Sequence, residues 1–117
     1  METIEAYARV KDNFNNTERV IPIKGHPLTI AKRKAVVHKC VEKHLSTKYV
    51  ITDINTGIRI SPKPYKRIGD CIRWTKELEN KIEKIFKDNT DEMMSREKEL
   101  NILIKKQKYE TKTNNNG

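Results

Sequence analysis

The residues of this 117-residue chain with the most to offer chemically are its cations and the aromatics set among them. Lys32, Arg33, Lys39 and Lys43 recur over one short stretch, and Lys63, Lys66, Arg67 and Arg73 over another, with Tyr65 and Trp74 interleaved. Ammonium and guanidinium groups neutralise phosphates, and an aromatic ring among them can stack on an exposed base. The charge distribution supports the same chemistry. Residues 1–27 carry four basic and four acidic side chains, residues 88–117 carry six of each, and residues 28–87 carry fifteen against six. The whole formal charge of +9 therefore arises in the middle of the chain. Such a concentration is the electrostatic footprint of a nucleic-acid or other acidic partner. The competing explanation is a lysine-rich face that only keeps a lean domain soluble, with Trp74 as a rim residue of its core.

Other chemistries have less behind them. His38, Cys40, Glu42 and His44 are metal-ligand types, and on a helix Cys40 and His44 would share a face, with Cys71 as a third ligand if two helices packed together. Zinc sites usually show tight Cys or His pairs at both ends, and this chain has one loose pair, so no metal or other cofactor is expected. The phosphate-loop, dinucleotide, zinc-protease and nucleophile-elbow motifs are missing, which points away from an enzyme. Glu79-Asn80-Lys81 has the Glu-x-Lys spacing of a metal-dependent nuclease motif. It falls on an expected helix and not a strand, so a small nuclease ranks as a lesser alternative.

With 35% hydrophobic and 35% charged residues, the chain must build a lean core under a heavily solvated surface, in one small domain with a terminal appendage. No apolar run approaches the roughly 18 residues of a membrane span, and the N-terminus lacks a secretory pattern. A cytoplasmic protein with no membrane partner is expected, Cys40 and Cys71 being reduced, buried thiols.

The elements that must position the cations read as follows. Ile4, Ala6, Ala8 and Val10 alternate with polar residues, predicting a strand that pairs with a second, Glu18 to Ile23, across the turn-forming DNFNNT. That second strand should end near Pro22 and Gly25. Residues 29–45 read as a helix capped by Thr29, with Ile30, Val37, Val41 and Leu45 as its apolar stripe. Lys48 to Ile60 reads as a hairpin turning at Asn55-Thr56-Gly57, and Ser61-Pro62-Lys63-Pro64 as an exposed connector. A helix from about Lys66 to Lys87 follows. Asn89 with Glu92 matches a capping box for a third helix, Asp91 to about Tyr109, a single long helix with a stutter being the alternative. The expected fold is α+β: a small antiparallel sheet with helices on one face and a C-terminal helix, its order read either as a duplicated ββα unit or as a chance likeness of two short segments. Residues 1–87 form the core domain, 88–110 the amphipathic helix, and 111–117 a disordered tail. The thin apolar stripe of that helix fits light docking, a homodimer or a partner.

The segment Tyr49 to Ile60, with the basic helix from Lys66, resembles the hairpin-and-helix units of small phage and mobile-element proteins. The abundance of Lys, Asn and Ile is similar to such proteins from AT-rich bacterial genomes. That class includes DNA-binding accessories and inhibitors of host defence, anti-CRISPR proteins among them, and no site residue carries over from it. The resemblance implies a non-enzymatic accessory that binds nucleic acid or a host nucleoprotein, and the charge pattern alone nominates Lys32, Arg33, Lys39, Lys43, Lys63, Lys66, Arg67, Arg73 and Trp74 as its contacts. The alternative is a protein-directed inhibitor of a host defence nuclease or ribonucleoprotein.

Overall fold

The computed structural model describes residues 2–12 and 17–116; the turn expected over 12–17 falls mainly outside them. Strands β1 (Ile4–Asp12), β2 (Thr17–Ile30), β3 (Arg33–Lys39) and β4 (Tyr49–Asp53) form a four-stranded antiparallel meander in the order β1-β2-β3-β4. Helices α1 (Ile68–Glu77), α2 (Glu79–Asp88) and α3 (Thr90–Asn116) follow. The architecture is α+β, but it is not a repeated ββα unit, because all the strands precede all the helices.

The long strand β2 makes the fold. Its first half pairs with β1, from Ile4 opposite Gly25 to Asp12 opposite Thr17, and its second half pairs with β3, from His26 opposite Val37 to Ile30 opposite Arg33. At the changeover, a Cβ on Gly25 would enter the van der Waals shell of the Val37 carbonyl, so only glycine fits. Pro22 does not end the strand as expected. It stands opposite Tyr7, two residues along from the Arg9–Val20 pair. The Val20 N–H and C=O both turn away from β1, toward Gln107. Pro22 has the same parity, so its missing donor faces the outer edge and breaks no ladder bond.

The helix expected over 29–45 is a correction. Thr29 and Ile30 end β2, Ala31 and Lys32 form a two-residue turn at φ 52° and 63°, and residues 33–39 are strand β3. Both faces of β3 are covered, so Ala35, Val36, Val37 and His38 are buried in succession, a run that erases the period-two signal. The intended stripe residues Ile30 and Val37 are core residues all the same. The hairpin over 48–60 is half right. Tyr49–Asp53 is a strand, but its return is a single bridge from Thr52 to Arg59.

Two apolar clusters lie on opposite faces of β3–β4. Ala35, Val37 and Ile51 pack with Ile30, Cys71 and Ile82 beneath α1 and α2. Val36 packs with Ala6, Ala8 and Ile23 of the β1–β2 hairpin, which folds back across the other face. The Arg9 N–H donates to the Gly57 carbonyl at 3.0 Å, tying β1 to the turn that follows β4.

The expected helix over 66–87 is interrupted at Leu78, which leaves helical geometry for one residue. Asn89 turns its amide back to the Ile85 carbonyl at 2.8 Å, capping the end of α2 and not the start of α3. Helix α3 continues beyond Tyr109 to Asn116, past the start of the tail expected to be disordered; no Gly or Pro intervenes to stop it. It docks on the core. Leu100 is buried against Gly57, Glu99 pairs with Arg9 at 2.8 Å, and the Gln107 amide donates to the Val20 carbonyl and accepts from its N–H.

Candidate nucleic-acid interface

Antiparallel pairing sets three side chains in a row at one end of the helix-covered face. Lys39 is opposite Tyr49, and Tyr49 exchanges two backbone hydrogen bonds with Tyr65, at 2.6 and 2.9 Å. Directly paired residues project to one face, and residues 35, 37 and 39 share theirs with 49 and 51 by alternation. Lys63 is brought to the same end by the proline connector, its ammonium 5.5 Å from the centre of the Tyr65 ring. Helix α1 begins immediately afterwards, so Lys66 and Arg67 stand exposed at its first turn.

On the outer side of α1, the Arg73 guanidinium lies 5.0 Å from the centre of the Trp74 ring, and Trp74 keeps 43% of its surface exposed. Asp70 is the only carboxylate in the first two turns of α1 and lies 3.6 Å from Arg73. None of Lys39, Lys63, Lys66 and Arg67 is in an ion pair among the described residues. The result is a net-positive end with three aromatic rings, Tyr49, Tyr65 and Trp74.

Lys32 and Arg33 do not belong to it. They lie at the other end of β3, about 20 Å from Lys39 at roughly 3.3 Å per strand residue. Lys32 pairs with Glu83 at 3.2 Å across the hairpin turn. Arg33 is a structural cation. Its Nε and Nη2 donate to the fully buried Asp53 carboxylate at 2.7 and 3.1 Å, and its guanidinium stacks 4.2 Å from the centre of Phe86. The hydrogen bond to Asp53 raises its pKa further. The same carboxylate accepts from the Thr56 N–H at 3.0 Å and hydroxyl at 2.7 Å, fixing the turn at Gly57. Lys32 and Arg33 instead border an open groove of about 390 Å³ with Phe86, Met93, Met94 and Glu97.

Lys43 falls in the one-turn 3-10 segment Lys43–Leu45 of the loop joining β3 to β4; its side chain lies outside the described residues. Lys48 and Tyr49 were missed as neighbours of the site. Lys48 precedes the strand, and Tyr49 is bridged by Tyr65, beyond the expected 48–60 hairpin. The alternation of 49–53 places Tyr49 on the face of Ile51, and that was the available signal.

The groups with catalytic or metal-binding potential do not converge. Desolvation pushes the Cys71 thiol up to about 11, although the Thr75 hydroxyl pulls partly the other way, so it stays protonated and inert at neutral pH. Cys71 is in the cluster under the helices, whereas Cys40 touches the Arg59 Nη2 at 3.4 Å. No group of three or more His, Cys, Asp or Glu side chains among the described residues could hold a metal ion. Among the described residues no helix is long and apolar enough to cross a membrane. No family model, curated protein or solved structure matches this chain.

Proposed function

We propose that this protein is a non-enzymatic cytoplasmic binder of nucleic acid, bare or within a nucleoprotein, and that it uses the end of the sheet where α1 begins. The observation that carries the reading is the convergence there of Lys39, Lys63, Lys66 and Arg67, without carboxylate partners, beside Tyr65 and the Arg73–Trp74 pair. An exposed ammonium gains little from solubility alone when its neighbours repel it, whereas a phosphate backbone relieves that repulsion and releases counterions. The site is thus smaller than the sequence alone suggests. Arg33 is committed to buried Asp53, and Lys32, paired with Glu83 at the surface, lies at the far end of β3, so both drop out of it.

The test is binding of the wild-type protein and of a Lys39→Ala/Lys63→Ala/Lys66→Ala/Arg67→Ala variant to labelled oligonucleotides at several salt concentrations. Weakened binding with a flatter salt dependence in the variant supports the reading. Affinity confined to a loaded ribonucleoprotein, with none for bare nucleic acid, would favour the protein-directed inhibitor instead.

A further inference from the structure

We propose that this interface, granted that it binds nucleic acid at all, selects single strands by stacking bases on Trp74 and Tyr65. Trp74 is the chain's only tryptophan, and it keeps 43% of its surface exposed on a helix whose inner face is filled by Cys71, Ile68 and Ile72. A ring that size left in water at a basic surface is a stacking platform, and Arg73 at 5.0 Å adds a cation to hold the adjoining phosphate. Tyr65 is the second platform, with Lys63 at 5.5 Å. Tyr65 packs partly against the apolar cluster that contains Cys71 and stands three residues ahead of α1.

Successive bases in a duplex strand stack ~3.4 Å apart with their faces covered. Two bases meeting both rings must be splayed from each other, which a single strand permits and a paired, stacked duplex resists. A duplex would offer the rings no base face, only phosphates for the lysines. Helix α1 is also a poor reader of the major groove. It has ten residues and ends at Glu77, and its own cations are only Arg73 and Lys76, with Lys66 and Arg67 just ahead of it. DNA and RNA single strands present the same stacking chemistry, and the test separates them.

Oligo-dT and oligo-U of about fifteen nucleotides, a dT·dA duplex of equal length and an abasic oligonucleotide are titrated against the full chain. Anisotropy of the labelled strand and fluorescence of Trp74 are both read. The expected result is tighter binding of dT, U or both than of duplex, with Trp74 quenched by the base-bearing single strands only. Trp74→Ala should weaken single-strand binding by about 5- to 150-fold and leave duplex and abasic binding unchanged, and Trp74→Phe should recover part of the loss. Unchanged melting of Trp74→Ala would show that folding is not the cause. Equal affinity for single strand and duplex without quenching overturns the stacking proposal and leaves the basic-face reading standing. No binding to any probe at low salt overturns both.

Discussion

Replacing Asp53 with alanine should be among the most damaging single changes available to this fold. The Asp53 carboxylate is fully buried and accepts two hydrogen bonds from Arg33 and two from Thr56. Its removal leaves the guanidinium of Arg33, itself only 23% exposed, without a counter-charge. Breaking one side of a buried pair costs about 3–5 kcal/mol. The buried Thr56 N–H loses its acceptor as well, worth about 1–3 kcal/mol on its own. The two losses share one carboxylate and do not add fully, so about 4 kcal/mol is expected. For a domain of this size that lowers Tm by about 15 °C, readable by circular dichroism or urea titration. Arg33→Met keeps the aliphatic contact with Phe86 but strands the carboxylate, so it should cost a similar amount. The double variant Arg33→Met/Asp53→Leu buries no unpaired charge and should be more stable than either single variant. A Tm loss under about 3 °C for Asp53→Ala, or a double variant as unstable as the sum of the singles, would refute this account of the pair. Arg33→Met should also leave oligonucleotide affinity unchanged at temperatures where it is folded.

The glycines differ in kind: Gly25→Ala should abolish folding, because the intruded atom is the Val37 backbone oxygen. Gly57→Ala, at φ +73° with Arg9 Cγ 2.9 Å and Leu100 Cδ1 3.1 Å from the new Cβ, should fold with stability reduced by about 1–3 kcal/mol, both read as Tm of the soluble fraction. His38 accepts or donates to Thr52 at 2.7 Å in the interior, and burial lowers its pKa below the ordinary 6.5. The unfolded chain therefore binds more protons just below pH 6.5, so stability should be complete above that pH and fall as pH drops through the window beneath it. Urea midpoints between pH 5 and 7 should show this slope, and His38→Gln should flatten it. Gln107→Ala should speed amide exchange at Val20 and cost about 1 kcal/mol, with no change in oligonucleotide binding.

The parts of the fold legible in the sequence were those with one covered face. Ile4, Ala6, Ala8 and Val10 alternate because β1 is covered inside by Val36 and Ile23; α1 and α2 carry a single stripe for the same reason. Strand β3 was misread because both its faces are buried, and a continuous apolar run fits a helix as well as a strand. The turn before it gave no warning, since Ala31 and Lys32 adopt positive φ without Asn or Gly. Glu79, accepting from the Ala31 N–H at 2.8 Å, and Glu83 hold that turn from a distant helix. Strand β2 was cut short because Pro22 and Gly25 read as breakers, although one faces an open edge and the other a close approach. At the candidate site, Lys63, Lys66, Arg67, Arg73 and Trp74 were legible because they are contiguous. The ion pairs of Arg33 with Asp53 and of Lys32 with Glu83 were not legible, because local sequence does not bring those partners near. Long-range pairing decides which cations are free.

The central claim is that the lysines and arginine at the start of α1 meet phosphates. Its most direct test is the salt dependence of single-stranded oligonucleotide affinity for the wild-type chain beside the Lys39/Lys63/Lys66/Arg67 alanine variant. Each phosphate contact contributes a slope of about 0.7 to log affinity against log salt. These four cations with Arg73 therefore predict a wild-type slope near −3.5, reduced to about −0.7 in the variant, with Lys32→Ala/Lys87→Ala unchanged from wild type. No measurable binding at low salt, or a variant slope equal to the wild-type slope, would contradict the claim.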